Sequence, residues 1–439
     1  MADRRATTWR NWAGNQTAQP SSVEHPHSID EVALAVKSAA SEGRNLRVAG
    51  AGHSFTAAAV TNGTMLRLDR MAGLVEADAD TGLVTVQGGT PLYQLNRILH
   101  DRGLAMSNLG DIDRQSVAGA ISTGTHGTGR ALGGIATQVR ALQIVVGNGA
   151  LVSCSAEDRP EMFEAARVGL GAFGVITQAT LQCEPAFTLL AREQPMPLPE
   201  VVDRIDELAA GNEHFEFFWF PHTDIALTKC NNRLAIGEAA KPLGRGKAWF
   251  EDQFLANTVY HAVCAVGLRR ASLIPRLNQA GARLMSERVY TAPSHQVFVS
   301  PRRVRFVEME YAVPREAVRD ALAAIRDVIV RENLRVSFPV EVRFAAADDI
   351  PLSTAFGRDT AYLAVHMYRG EKDYERYFRA VEREMRVLHG RPHWGKLHYR
   401  AADDLRPVYP RFDEFLAARQ QADPDRVFAN AYLGQVLGP

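Results

Sequence analysis

Two glycine-rich segments constrain this chain more than any other feature: Leu46-Arg-Val-Ala-Gly-Ala-Gly-His-Ser-Phe-Thr-Ala-Ala58 and Ser116-Val-Ala-Gly-Ala-Ile-Ser-Thr-Gly-Thr-His-Gly-Thr-Gly129. In the first, a short apolar strand runs into Gly50 and Gly52. Glycine lets the backbone turn sharply and come close to a ligand. Successive main-chain N–H groups in such a turn form a concave nest for an anion such as a pyrophosphate. His53 follows directly. One loop of this kind also fits an ordinary tight turn. Two, both carrying small residues and a His, point to a large anionic cofactor lying along exposed backbone. Neither segment ends in the Gly-Lys-Ser/Thr of a phosphate loop, and neither has the acidic residue of a dinucleotide βαβ unit.

Composition narrows the class. In 439 residues, 50 Lys and Arg balance 50 Asp and Glu. A zero net charge argues against a nucleic-acid partner, which usually demands a basic excess. Cys154, Cys183, Cys230 and Cys264 lie far apart with no CxxC pair. They read as buried thiols of a reducing compartment, not as a disulfide framework or a zinc site. No apolar signal core follows the N-terminal Met-Ala-Asp-Arg-Arg, and no window approaches the roughly 20 apolar residues of a membrane span. The expectation is a cytoplasmic protein with no membrane span and no metal.

The spacing predicts alternating short strands and helices over 20–184. Strands are expected at 46–49, 65–68, 83–87, 139–146 and 174–183, and helices at 91–102 and 159–168. Another helix starts at Ser28 or Asp30, with Val32, Leu34, Val36 and Ala39 towards one face. The texture changes after Pro185. Long strands (214–220, 304–313, 335–344 and 361–368) and amphipathic helices (314–332 and 371–389) indicate a second domain, an antiparallel sheet with helices on one face.

Side chains alternate faces along a strand. In 335–344, Val336, Phe338, Val340, Val342 and Phe344 make one apolar face, while Ser337, Pro339, Glu341 and Arg343 make the other. In 361–368, His366 shares a face with Tyr362, Ala364 and Tyr368. Aligned, these polar faces would present Glu341, Arg343, His366 and aromatic rings on one side of the domain; a solvated face with a surface ion pair fits the pattern equally. Further on, Arg391-Pro-His-Trp-Gly-Lys-Leu-His-Tyr399 gathers His393, Trp394, Lys396 and His398. A Lys held beside a Trp can be desolvated, which suits it for proton transfer; a Lys snorkelling past the ring fits as well.

Together these residues resemble the sugar-1,4-lactone oxidases (L-gulono- and D-arabinono-1,4-lactone oxidases) of the vanillyl-alcohol-oxidase type of flavoproteins. The marks are Gly-x-Gly-His-Ser at 50–54, Gly-Thr-His-Gly-Thr-Gly at 124–129, Gly171-Ala-Phe-Gly-Val-Ile176, Glu341-Val-Arg343 and His393-Trp-Gly-Lys396. The match runs from Trp12 to the C-terminus, and alditol oxidase is a more distant cousin.

The resemblance implies an α+β fold of two domains. A PCMH-type FAD-binding domain (1–184, completed by about 405–439) would carry an antiparallel-sheet cap (185–404). It implies FAD covalently bonded through His53. Ala49, Gly50, Ala51, Gly52, Ser54 and Phe55 would cradle it, together with Gly110, Asp111, Ser116, Val117, Gly119, Ala120, Ser122, Thr123, Gly124, His126 and Gly127. Gly174, Val175 and Ile176 would meet the adenosine half. Lys396, Glu341, Arg343 and His366 would face a sugar lactone or polyol, with Lys396 also touching the flavin. Oxidation then means hydride transfer to flavin N5 and loss of a proton to a base, Lys396 or His366. Oxygen or another acceptor would reoxidise the flavin. Gly110 falls where the family varies between Gly and Ala, and Gly leaves space for oxygen.

Overall fold

Helix Ile29–Ser41 shows how local chemistry sets the frame. The structure, a computed structural model, describes residues 8–235, 238–244, 246, 249, 254, 257–300 and 302–438. Ser28 caps this helix by accepting from the Glu31 N–H at 3.2 Å. Its buried face is Val32, Ala35, Val36 and Ala39, while Leu34 is 68% exposed. The 3.6-residue period selects Ala35, three residues on from Val32, in place of the expected Leu34. This face packs between two small sheets. One is parallel, in the order Ser22–Glu24, Thr64–Leu66, Leu46–Val48. The other is antiparallel, in the order Leu151–Ser155, Val139–Val145, Val175–Gln182, Leu83–Gln87, Leu74–Asp78. The predicted strands recur within one or two residues. Three were not predicted, 22–24, 74–78 and 151–155; each is a sheet edge, short and partly exposed, so it carries little apolar signal.

An eight-stranded antiparallel sheet follows. Its order is Arg288–Pro293, Thr188–Pro197, Ile225–Arg233, His214–Trp219, Val340–Ala345, Thr360–Tyr368, Phe306–Pro314, Arg391–Pro392. Helices Val318–Arg331 and Tyr374–Val387 cover one face, packing Ile325, Val328, Phe378 and Val381 into one core with Phe217, Val342, Leu363 and Met309. The fold is thus α+β with helices on one face of an antiparallel sheet. Strand 188–197 went unpredicted because Pro195 and Pro197 argue against an interior strand. Strand 288–293 pairs only with 188–193, so both prolines lie on an open edge. The strand expected over 335–344 begins only at Val340, although Val336 and Phe338 are buried as the alternation requires.

The C-terminus returns to the first glycine loop. The Leu46 N–H donates to Val427 O at 2.8 Å. Asn430 caps helix Ala431–Leu437 and its amide also reaches the carbonyls of Ala57, Ala58 and Val60. Arg47, 3% exposed, gathers the carbonyls of Ala58, Gly171, Phe428 and Leu170 at 2.7–2.9 Å. Among the described residues no helix is long and apolar enough to cross a membrane.

Candidate active site

Both glycine segments line one cavity of about 400 Å³. Its wall includes Ala49, Gly50, Ala51, Gly52, His53, Ser54, Ser116, Gly119, Ser122, Thr123, Gly174 and Ile176. Gly171 of the Gly171–Ile176 turn lines it too, as do Arg47, Arg67, Arg114 and Tyr93, which were not singled out in the sequence. The backbone N–H groups of residues 50–54 donate to no acceptor among the described residues. Unpaired backbone donors must otherwise find water or a ligand. Gly52 has φ +73°, and a Cβ on Gly50 would stand 2.6 Å from Ser116 Oγ. Small residues, free N–H groups and three arginines fit a dinucleotide with its pyrophosphate. His53 stacks on Trp12 with centroids 5.6 Å apart. Burial pushes its imidazole down to about 4, and the nearby Lys396 and Arg114 charges push the same way, so the ring is neutral at neutral pH.

Other expected cofactor residues stand off this wall. Phe55, Val117, Ala120 and Val175 are buried in the apolar cores. Gly124, with φ +72°, turns the chain away from the cavity. Beyond it the second glycine segment changes task and docks on the large sheet. The Gly129 N–H donates to Phe344 O at 2.9 Å, and the Ala346 N–H to Leu132 O at 3.0 Å. A Cβ on Gly127 would lie 2.2 Å from Leu109 O, so only glycine fits that crossing. Gly110 packs close too: a methyl there would meet His126 O at 3.1 Å and Thr125 Cγ2 at 3.3 Å.

The sheet face away from the helices carries the charge. It is buried, not solvated: Glu341, Arg343 and His366 are 4%, 7% and 2% exposed. The N-terminal part of the chain covers it. Cross-strand register sets Glu308 opposite His366, while Glu310 and Glu341 flank Ala364 from either side. Arg343 pairs with Glu341, holds Glu216 Oε2 at 2.7 Å through Nε, and lies 3.6 Å from Asp111 Oδ2. Asp111 also pairs with Arg302. So Asp111 stands here as a counter-ion to two arginines. Lys229 Nζ lies 3.5 Å from Glu216 Oε1.

The Arg391–Tyr399 turn splits its residues. Trp394 points into the core, donating from its indole to Leu352 O at 2.7 Å. Lys396 faces the charged sheet instead, with Nζ 2.5 Å from Glu308 Oε1 and 3.9 Å from Glu310 Oε2. Its apolar neighbour is the Phe55 ring, at 5.5 Å, not Trp394. The Phe55 N–H donates to Gly395 O at 2.8 Å, which ties this turn to the His53 loop. The two histidines of the turn part ways: His398 bonds Tyr432 OH at 3.1 Å, whereas His393 sits beside His126.

Electrostatics assigns the protons. Burial opposes the charge on Lys396, but Glu308 and Glu310 outweigh it and raise its pKa, so it stays an ammonium. Burial also opposes charge on Glu308, yet Lys396 and His366 pull its carboxyl down to about 2. Burial lifts Glu341 to about 7 against the pull of Arg343. His366 Nδ1 lies 3.0 Å from Pro339 O, an acceptor, so Nδ1 carries a proton. Nε2 is buried without a hydrogen-bond partner, 3.4 Å from the Glu308 oxygen that Lys396 already holds. Glu308, Glu341 and His366 lie close enough to share an ion, as do His126, Glu310 and His393. The cations already seated on these carboxylates remove the negative charge a metal would need. Glu308, Glu310, Glu216, Lys229 and Arg302 were not picked out from the sequence. The first two follow from the same alternation in 306–313, where Val307, Met309 and Tyr311 face the core.

Comparison with known proteins agrees with this layout. Residues 179–436 match the family model D-arabinono-1,4-lactone oxidase, and residues 20–155 match an FAD binding domain. The chain is 44% identical to an L-gulono-1,4-lactone dehydrogenase of Mycobacterium tuberculosis, covering 98% of this chain and 99% of that one. It is 34% identical to the L-gulonolactone oxidase of Bos taurus, covering 98% of each. The structure superimposes on cholesterol oxidase from B. sterolicum with a TM-score of 0.83 at 18% identity, over 98% of this chain and 96% of that one, a likeness of fold. The chain therefore belongs to the D-arabinono-1,4-lactone oxidase family and is built on its FAD-binding fold.

Proposed function

We propose that this chain is an FAD-dependent oxidoreductase that oxidises a CH–OH carbon of a sugar-1,4-lactone, L-gulono-1,4-lactone or a related aldonolactone. Residues 1–184, completed by about 405–439, hold FAD, and 185–404 form the substrate cap. The observation that carries this reading is the joint between the two. The Phe55–Gly395 hydrogen bond sets Lys396 and the charged sheet face beside the His53 loop.

Each side chain has a task that its surroundings suit. Bound here, FAD would supply the hydride acceptor. Lys396, held as an ammonium by Glu308, donates to a substrate oxygen and steadies negative charge there. Arg343 does the same from the neighbouring strand, oriented by Glu216 and Glu341. In its neutral form His366 can receive the hydroxyl proton on Nε2, because the Pro339 carbonyl fixes Nδ1 as the donor. Lys396, already protonated, does not serve as the base. The buried face excludes water and strengthens these interactions. His53 is neutral and stacked, with no hydrogen bond to a described residue at its ring, which supports a covalent bond from it to the flavin. The four unbridged thiols support a reducing, cytoplasmic setting. Electrons then pass to oxygen or another acceptor.

Anaerobic mixing with L-gulono-1,4-lactone, D-arabinono-1,4-lactone, xylitol and sorbitol tests the substrate class. Bleaching of the flavin by a lactone and not by the alditols is expected; the reverse order assigns a polyol oxidase. Acid precipitation tests the link: a yellow pellet from wild type and a colourless one from His53→Ala are expected, and a colourless wild-type pellet refutes it.

A further inference from the structure

The ring of His126, one of the expected cofactor residues, stands at the junction of the two halves, 5% exposed. It stacks on Tyr362 of the large sheet with centroids 3.6 Å apart. Nδ1 lies 2.9 Å from Gly127 O, and Nε2 lies 3.1 Å from Glu310 Oε1. A carbonyl and a carboxylate can only accept. Both ring nitrogens must therefore carry hydrogen, which makes this ring an imidazolium. Burial opposes charge on Glu310, but His126 foremost and then Lys396 outweigh it and keep it a carboxylate.

Each group around the ring agrees with that charge. His393, whose ring centroid lies 5.6 Å away, accepts from the Gly395 N–H at 3.0 Å through Nδ1 and so is not doubly protonated. Tyr362 keeps its phenol proton, because burial raises it, and exchanges a hydrogen bond with Thr354 at 2.8 Å. Among the described residues Glu310 is thus the one anion directly on the ring, and its second oxygen faces Lys396 at 3.9 Å. The two carboxylates Glu308 and Glu310 balance two cations, Lys396 and His126.

We propose that His126 is a positioning residue for the oxidation: as a fixed cation it pins Glu310, and Glu310 in turn sets the position and charge of the Lys396 ammonium that meets the substrate. This rests on the role given to Lys396 above. It assigns the second glycine segment two tasks, a cofactor wall up to Thr123 and a charged clamp at His126 that registers the cap.

A double-mutant cycle on the rate of anaerobic flavin reduction tests it. His126→Asn should slow reduction by about tenfold in the wild-type background and by less than about twofold in Lys396→Met, as expected for residues acting through one network. Glu310→Gln should behave in the same way. A purely structural role would instead cost the same factor in both backgrounds. Equal losses in both, or no loss in either, overturn the proposal. If Lys396→Met alone reduces at the wild-type rate, the reading of Lys396 has failed and the proposal falls with it. Should His126→Asn not fold, the wild-type holoenzyme labelled with ¹⁵N-histidine decides the matter. One buried histidine with both nitrogens protonated is expected, its signal shifted by Glu310→Gln. Neutral tautomers throughout refute the clamp.

Discussion

Arg343 shows how one residue depends on three. Its guanidinium meets Glu341, Glu216 and Asp111, and all four side chains are largely buried. Arg343→Ala leaves three carboxylates facing one another with less positive charge between them. Removing one partner of a buried pair costs about 3–5 kcal/mol, because the remaining charge is uncompensated. Arg302 and Lys229 still share Asp111 and Glu216, so the lower end of that range is expected. The variant should fold with a reduced denaturation midpoint and lose flavin reduction by a much larger factor than stability implies. Full activity would make the pair structural. The Glu341-Val-Arg343 alternation was legible in the sequence because a two-residue period puts both side chains on one face. That the face is buried was not legible. Burial depends on the N-terminal half packing against it, and no local pattern encodes that contact. Lys396 shows the same limit: its spacing suggested Trp394 as neighbour, but the turn sends Trp394 into the core and Lys396 to Glu308.

At the scale of the element, glycines separate conformational need from habit. Gly127 crosses Leu109 O so closely that a methyl cannot enter without moving backbone. Gly127→Ala is expected to cost at least about 2 kcal/mol by overpacking and to loosen the cap from the FAD half. Gly434, inside helix Ala431–Leu437, has nothing within 4 Å of its missing Cβ. Gly434→Ala should stabilise by about 0.5–1 kcal/mol, since alanine loses less freedom in a helix. Paired denaturation curves check both signs, and a stabilised Gly127→Ala would refute the crossing. The sequence marked both parts of the Ser116–Gly129 run as one cofactor loop. Composition alone does not reveal where such a run leaves the cavity wall and begins to dock another sheet.

For the molecule as a whole, Arg47 joins parts that are distant in sequence. It binds carbonyls on the first loop, on the 170–171 turn and on the C-terminal tail while lining the cofactor cavity. Burial lowers its pKa to about 10, which still leaves it charged at neutral pH. Arg47→Met leaves the buried Leu170 and Phe428 carbonyls and the half-buried Gly171 carbonyl without their donor, while Ala58 O keeps the Asn430 amide; each buried group left unpaired costs about 1–3 kcal/mol before relaxation. Thermal unfolding followed by flavin fluorescence should show a midpoint lowered by several degrees; an unchanged midpoint would show that the tail is held otherwise.

The central claim is that lactone oxidation sends its proton to His366 while Lys396 stays charged. The pH dependence of anaerobic flavin reduction by L-gulono-1,4-lactone tests this most directly. A base must be unprotonated to act, so the rate should rise with pH to a plateau. Because Glu308 and Glu310 raise Lys396 above its ordinary value, it loses no proton across that range and cannot be the source of the rise. Glu341, near 7, is separated from His366 by the Glu341→Gln profile. Lys396→Met should reduce the plateau and keep the rise, while His366→Asn should abolish it with FAD still bound. A rise that vanishes in Lys396→Met and survives in His366→Asn would contradict the account.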